Sequence, residues 1–402
     1  MLDGNIAWIL TSTVLVLFMT LPGLALFYGG LVDSKNLLSV LLQCFAVACL
    51  MSVAWFVAGY SIAFSEGNQY FGDLSKIFLK NVTIDSTVSG LPETIFFMFQ
   101  MTFAIITPAL IIGAFVERAK FNAVLIFSLI WLIVVYAPVT HWIWGGGWLS
   151  KLGVLDFAGG LVVHLNCGIA ALVYAYLLGP RNKGKTVIPH SPLLVMIGTS
   201  MLWVGWFGFN AGSALAADSS AGMAMTVTHL SAATATLVWM FLGWWENGKP
   251  SLVSAATGCI AGLATITPAA GFVGPTGALV IGVLAAIVCY YMVGIVKNRF
   301  NIDDTLDVFA VHGMGGLLGI LLLAPLGSVE FGGMGHSEVS ILQQFKIQII
   351  GSIAVAVWSG VMSYIILITL KNTIGIRISE KEEEIGLDQS SHAERAYLWR
   401  KH

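Results

Sequence analysis

Polar loops divide this 402-residue chain into eleven apolar stretches, each long enough to cross a lipid bilayer. A hydrocarbon core about 30 Å thick is spanned by roughly 20 residues of helix, whose backbone polar groups satisfy one another where water cannot. The stretches cover approximately residues 6–31, 37–64, 92–115, 122–143, 157–178, 192–213, 222–245, 252–270, 276–297, 305–326 and 341–370. Turn-forming linkers such as "EGNQYFGD", "ENGKPS" and "GFVGPTG" separate them. With 10% charged residues and a mean hydropathy of +0.86, the chain has too few charges to coat a soluble globule of its size. The pattern predicts an all-α integral membrane protein of eleven transmembrane helices over residues 1–370, followed by a charged tail over 371–402. The first stretch begins near acidic Asp3 and outruns the apolar core of a signal peptide, so a retained span and no cleaved signal are expected.

A net charge of −2 gives no overall pull toward nucleic acid, so the placement of charge carries the information. An odd number of spans puts the termini on opposite sides. With the tail inside the cell, 15 of the 19 Lys and Arg fall on the cytoplasmic side: Lys35, Arg118, Lys120, Arg181, Lys183, Lys185, Lys249, Lys297, Arg299 and the six of the tail. Lys76, Lys80, Lys151 and Lys346 fall on the other. The positive-inside rule then sets the N-terminus out and the C-terminus in. The cysteines, Cys44, Cys49, Cys167, Cys259 and Cys289, lie in apolar stretches without metal-ligand spacing, which predicts neither disulfides nor a zinc site.

Five spans followed by five more would thread in opposite directions, the inverted-repeat plan of many transporters. "AIITPALIIGAF" in the third stretch echoes "ATITPAAGFVGP" in the eighth, and an Asp followed eight residues later by a His occurs in the fifth (Asp156, His164) and the tenth (Asp304, His312). The repeats would cover about residues 1–178 and 192–326, with the helix at 341–370 added. Eight residues of helix rise about 12 Å, which would bring both histidines to the bilayer midplane from opposite faces. A lone histidine in an apolar helix is commonly a packed residue bonded to a neighbour. A symmetric pair at the midplane points instead to a pathway, because intramembrane ionisable groups line routes or pair with one another. Two neutral imidazoles in contact can share one proton and offer hydrogen bonds to something small. Asp156, Asp304 and Asp307 lie at or near helix starts and are expected to cap or anchor them.

In order along the chain, "PGLALFYGGLVDSKN", "FQMTFAIITPALIIGAFVER", "HWIWGGGW", "LDFAGGLVVHLNCG", "WFGFNAGSA", "GKPSL", "TPAAGFV" and "DVFAVHGMGG" resemble the signature segments of the ammonium transporter family (Amt/Mep/Rh), on its bacterial Amt branch. The resemblance covers nearly the whole chain. It implies an eleven-helix protomer of two inverted repeats, assembled as a homotrimer with one pore per subunit in the cytoplasmic (inner) membrane. The implied activity is uptake of ammonium, with methylammonium as analogue, and no cofactor or enzymatic step. It further implies a recruitment site from Phe99, Trp144 and Ser213, a phenyl gate from Phe103 and Phe209, a twin-histidine pore from His164 and His312, and Thr267 on the inner side of those histidines.

Without the resemblance, Trp144 reads as an interfacial belt residue. Phe99 and Phe103, at i and i+4, read as core packing on one helix face, and Thr267 as a partner for backbone groups freed by Pro268. With it, aromatic faces worth about 0.5–2 kcal/mol each to a cation would hold ammonium at the mouth. Ammonia would then pass alone, since a charge at the bilayer centre costs roughly 3 kcal/mol or more. Composition describes the tail as a solvated segment, but "EIGLDQSSHAERAY" resembles tails that pack beneath the bundle and couple to PII-type nitrogen-signalling proteins, with basic loops such as "RNKGK" as a docking surface. Two rivals stay open at this stage: the histidines as axial ligands of a b-type haem, and a sensor that binds ammonium and signals through its tail. A potassium pore lacks its rings of carboxylates or filter carbonyls.

Overall fold

The computed structural model describes residues 2–182, 184, 188–335 and 339–397. Among them, eleven helices are long and apolar enough to cross a membrane: α1 (Asp3–Leu31), α2 (Ser34–Phe64), α3 (Glu93–Ala114), α4 (Phe121–Leu152), α5 (Gly160–Leu178), α6 (Pro192–Gly212), α7 (Ser219–Asn247), α8 (Leu252–Ala269), α9 (Pro275–Arg299), α10 (Phe309–Leu326) and α11 (Ile341–Thr373). The chain is a multi-pass helical membrane protein. A small hairpin, β1 (Thr87–Val88) and β2 (Leu91–Pro92), caps the α2–α3 loop, and two short helices, α12 (Glu380–Ile385) and α13 (Leu387–His392), form the tail. In α3, 89% of the apolar window is buried, against 33% in α7, α9 and α11, so α3 is central and those three lie at the rim of the bundle.

Several helix starts differ from the hydropathy reading, for one physical reason. The fifth helix begins at Gly160 rather than 157 and the tenth at Phe309 rather than 305, because an aspartate in the preceding non-helical segment takes up the first free backbone N–H groups. His164 is therefore only the fifth residue of its helix and His312 only the fourth of its own. The estimate of a 12 Å helical rise from each aspartate does not hold; extended lead-in segments cover part of that depth. Both helices open with a π-helical turn, Gly160–Leu165 and Phe309–Gly313, a wider winding frequent at functional positions. At the other end of the fourth stretch, the chain turns through Gly145–Gly147 and adds a short helix, Trp148–Leu152.

α5 and α10 cross at the histidines. A Cβ on Gly168 would collide with the Gly313 Cα, and one on Gly316 would stand 2.6 Å from the Gly160 carbonyl oxygen. Gly168 and Gly316 each follow their histidine by four residues, extending the internal repeat by one turn. Only bare backbone fits here, so Gly168→Ala must push the two helices apart at an overpacking cost of about 1–3 kcal/mol. The expected result is a lower Tm of the purified protein in detergent; an unchanged Tm would show that this crossing is not tightly packed.

α11 lies outside the two sets of five and clamps the segment that leads into α5. Gln348 accepts from the Leu155 N–H (3.0 Å) and donates to the Leu155 carbonyl (2.6 Å), Gln344 donates to the Gly153 carbonyl (3.0 Å), and Ser359 donates to the Asn166 carbonyl (2.8 Å).

The tail docks against one end of the bundle. Asp388 accepts from the Leu38 and Ser39 N–H groups in the first turns of α2 (3.1 and 2.8 Å), where the helix dipole favours an anion. Lys35 donates to the Glu383 carbonyl (3.0 Å), Leu387 N–H donates to Asn36, and Ile378 N–H donates to the Arg118 carbonyl. Glu383 accepts from Arg377 and from the Asn182 N–H (2.9 and 2.7 Å). Of the expected "RNKGK" surface, Asn182 thus touches the tail through its backbone, while Lys183 and Lys185, like the final "LWRKH", lie outside the described residues. Arg181 pairs with Glu117 and Asp303 (both 2.9 Å). Burial would raise the Asp303 carboxyl, but the Arg181 and Arg118 guanidinium groups hold it below the usual carboxylate range. Arg118, fully buried, ties three loops together through the Gly179, Ala114 and Asp303 carbonyls and the Thr305 hydroxyl.

Candidate functional site

The structure brings the two histidines of the repeated spacing into direct contact. His164 Nδ1 and His312 Nδ1 are 3.2 Å apart, with ring centroids at 5.2 Å and planes inclined by 19°. Both rings are buried, 1% and 4% exposed. A hydrogen bond between two Nδ1 atoms requires one proton between them. In the neutral pair, one outer Nε2 is then a donor and the other an acceptor. His164 Nε2 is buried and has no hydrogen-bond partner.

A ladder of rings leads to this pair from the bundle end opposite the tail. Trp144 meets Phe103 edge-on at 5.7 Å, Phe99 meets Phe103 at 5.0 Å, Phe103 lies 4.4 Å from Phe209, and Phe209 lies 6.0 Å from His164. Phe99, Phe103 and Phe209 are at most 1% exposed, so the three phenyl rings are buried between Trp144 and the histidines. Trp144 and Ser213 are half-buried. The Trp144 indole donates to the Asp156 carbonyl (2.8 Å), which fixes its ring, and the Ser213 hydroxyl donates to the Phe209 carbonyl (2.8 Å), so toward any other group its oxygen is an acceptor. The seven residues read as recruitment site, gate and pore therefore form one connected column of side chains, with Ser213 joined to it through the backbone of Phe209.

The supporting residues divide into three kinds. Asp156 caps α5: Oδ1 accepts from Gly159 and Gly160 N–H (2.9 and 2.6 Å), and Oδ2 from Leu161 and Val162 N–H (2.8 and 3.1 Å). Gly159 permits this wrap because its φ is +115°, where a side chain would be strained. Asp304 makes the smaller version, accepting from Phe309 N–H (2.7 Å). Burial and the neighbouring Asp307 push its carboxyl up to about 7. Asp307 caps no N–H group but anchors a helix end, its carboxylate 2.7 Å from Lys297 Nζ in the last turn of α9, and its backbone is left-handed, at φ +61°.

Thr267 also differs from expectation. It lies in the last turn of α8, beyond the histidines toward the end away from the tail, where the adjacent Pro268 packs against Gly160. α8 starts at the tail end, so with the tail inside, as the positive-inside rule expects, its C-terminal turn lies on the outer side of the pair. Its hydroxyl donates to the Leu263 carbonyl (2.8 Å) and accepts from the Trp206 indole N–H (2.9 Å). Trp206 stacks on His164 at 5.6 Å and 18°. This tryptophan, absent from the sequence-based site, backs the pore ring, and only its position within "WFGFNAGSA" hinted at it.

Among the described residues, all five cysteines are free and no group of three or more His, Cys, Asp or Glu is arranged to hold a metal. Axial ligation would set an iron between the two imidazole nitrogens, which would then be about 4 Å apart at metal–nitrogen bonds of about 2.0 Å each. The observed direct contact does not fit that arrangement.

Comparison with known proteins agrees with the geometry. The profile of the Ammonium Transporter Family matches residues 7–397. An ammonium transporter of Aquifex aeolicus is 46% identical over 98% of this chain and 93% of its own length. The ammonium transporter Amt1 of Archaeoglobus fulgidus is 43% identical over 99% of this chain and 100% of its own. Among solved structures, Candida albicans Mep2 superposes with a TM-score of 0.87 at 38% identity, covering 94% of this chain and 87% of that one. A protein described as a sensor Amt protein superposes at 0.91 with 28% identity, covering 97% and 98%.

Proposed function

The chain belongs to the ammonium transporter family, and from that premise we propose that it takes up ammonium across the cytoplasmic membrane through the ring-lined column just described, acting as a transporter and not as an enzyme. Ammonium docks against the exposed parts of Trp144 and Ser213 with the Phe99 ring behind them. Before the Phe103–Phe209 gate it gives up one proton to solvent water at the mouth, leaving ammonia, because the buried, apolar route beyond makes a bare cation costly. Ammonia, a donor through its N–H groups and an acceptor through its lone pair, then exchanges hydrogen bonds with the outer nitrogens of His164 and His312. The shared Nδ1 proton offers a relay for any proton that follows.

The observation that carries this reading is the 3.2 Å histidine contact at the end of an unbroken aromatic ladder. The basic residues around the tail argue that this end faces the cytoplasm, which makes residues 371–402 a cytoplasmic regulatory segment and its docked surface the place for a PII-type partner. The inverted halves, the added α11 and a homotrimer with one pore per protomer complete the proposed assembly.

Ammonium pulses on reconstituted proteoliposomes, followed by solid-supported-membrane electrophysiology together with a lumenal pH dye, test the proposal. A current or pH change that depends on ammonium and saturates is expected. Ammonium binding with neither signal would favour the sensor reading, which the docked tail and the likeness to a sensor Amt protein keep in view.

A further inference from the structure

The tail-side end of the pathway holds charged groups that the transport reading leaves unused. A cavity of about 360 Å³ reaches from the tail side to His312, with Tyr28, Thr257, Lys297, Thr305 and Asp307 among its lining residues. Lys297, in the last turn of α9, reaches into it. Its Nζ lies 2.7 Å from Asp307 Oδ1 and 3.4 Å from the Thr305 carbonyl oxygen, and the two charged side chains are 17% and 20% exposed. At the inner end, the His312 ring is 4% exposed and its one hydrogen bond is the one to His164, so Nε2 faces the cavity side without a partner among the described residues. Asp307 holds a left-handed backbone, φ +61°, uncommon for a residue with a side chain. The loop is bent in the way that presents this carboxylate to the cavity.

A lysine head group is an ammonium ion with one N–H replaced by a carbon. The carboxylate and the backbone carbonyl that receive Lys297 are the acceptors a free ammonium ion would need on leaving or entering at this end. We propose that Lys297 is a tethered ammonium occupying a tail-side ammonium site formed by Asp307 and the Thr305 carbonyl, and that permeating ammonium uses this site when the lysine swings out. The inference rests on the transport reading. In it, Lys297 competes with the transported ion at one mouth only, since among the described residues no lysine contacts Trp144 or Ser213 at the opposite end.

That one-sidedness is the test. Full-length protein is reconstituted in proteoliposomes sorted by protease accessibility of the tail, and ammonium chloride is supplied from the tail side or the opposite side. Lys297→Met is expected to lower the half-saturating ammonium concentration on the tail side by about fivefold, the scale of losing a partly exposed ion-pair competitor, and to leave the opposite side unchanged. Asp307→Asn is expected to raise the tail-side value. A tail-side value equal to native in Lys297→Met, or an equal shift on both sides, overturns the proposal. If Lys297→Met does not accumulate in the membrane, Asp307→Asn decides alone, and an unchanged tail-side value is then fatal to it. A native protein that passes no ammonium in either direction would instead overturn the transport reading itself.

Discussion

Replacing His164 with alanine is expected to cut the ammonium-evoked current of the reconstituted protein by about tenfold or more. The ring is held on three sides: its Nδ1 is bonded to His312 at 3.2 Å, Trp206 stacks on it at 5.6 Å, and Phe209 lies 6.0 Å away. Removing it strands His312 Nδ1 in a dry site and deletes the outer nitrogen that meets the permeant first. Leaving one buried polar partner unmade costs about 1–3 kcal/mol, and each 1.4 kcal/mol is tenfold in an equilibrium. The loss should therefore appear in the maximal current rather than in the half-saturating concentration, because recruitment at Trp144 and Ser213 lies beyond the phenyl gate and is untouched. Traces from His164→Ala that match the native ones in amplitude would remove this residue from the mechanism. A change confined to half-saturation would move its role to the mouth.

Much of the architecture was legible in the sequence because its causes are local. Apolar runs of bilayer length predict the eleven spans without reference to any partner, and the repeated Asp-to-His spacing predicts that α5 and α10 matter together. The helix starts were not legible. They depend on how many backbone N–H groups an aspartate gathers, four at Asp156 and fewer at Asp304, and on a left-handed glycine that spacing does not reveal. The glycines four residues after each histidine carried an unread signal: close helix crossing at the histidines follows from that second repeat. With the tail inside, the direction of α8 puts Thr267 on the outer side of the histidines, against the side the resemblance implies. Trp206 could not be singled out, since its role comes from a hydroxyl 61 residues away. The resemblance implies a docked tail, but its partners were hidden for the same reason, as Asp388 finds the start of α2 across about 350 residues.

Asp156→Ala is expected to be the most damaging single substitution outside the ring column, and the comparison with Asp304→Ala makes the reason testable. Asp156 is 6% exposed and its two oxygens satisfy four consecutive N–H groups at 2.6–3.1 Å. Alanine leaves all four without an acceptor at a site packed by protein. At about 1–3 kcal/mol for each buried unsatisfied group, even a partial rearrangement consumes a large part of the roughly 5–15 kcal/mol by which folded chains are stable. Function suffers by the same route, since the carbonyl of Asp156 also positions Trp144, and the turn it caps carries His164 two residues beyond the last capped N–H. Asparagine keeps one acceptor oxygen, enough for two of the four groups, and turns an NH2 toward the others. The order of Tm and of flux should accordingly be native, then Asp156→Asn, then Asp156→Ala. Asp304 accepts from Phe309 N–H at 2.7 Å, with the Val308 N–H as a weaker neighbour, and its Oδ1 is buried with no hydrogen-bond partner, so Asp304→Ala forfeits fewer backbone contacts and relieves a buried carboxylate. Its loss of Tm should be clearly the smaller of the two. Equal losses in the two alanine variants, or a native Tm in Asp156→Ala, would show that the number of capped N–H groups does not set the stability of these helix starts.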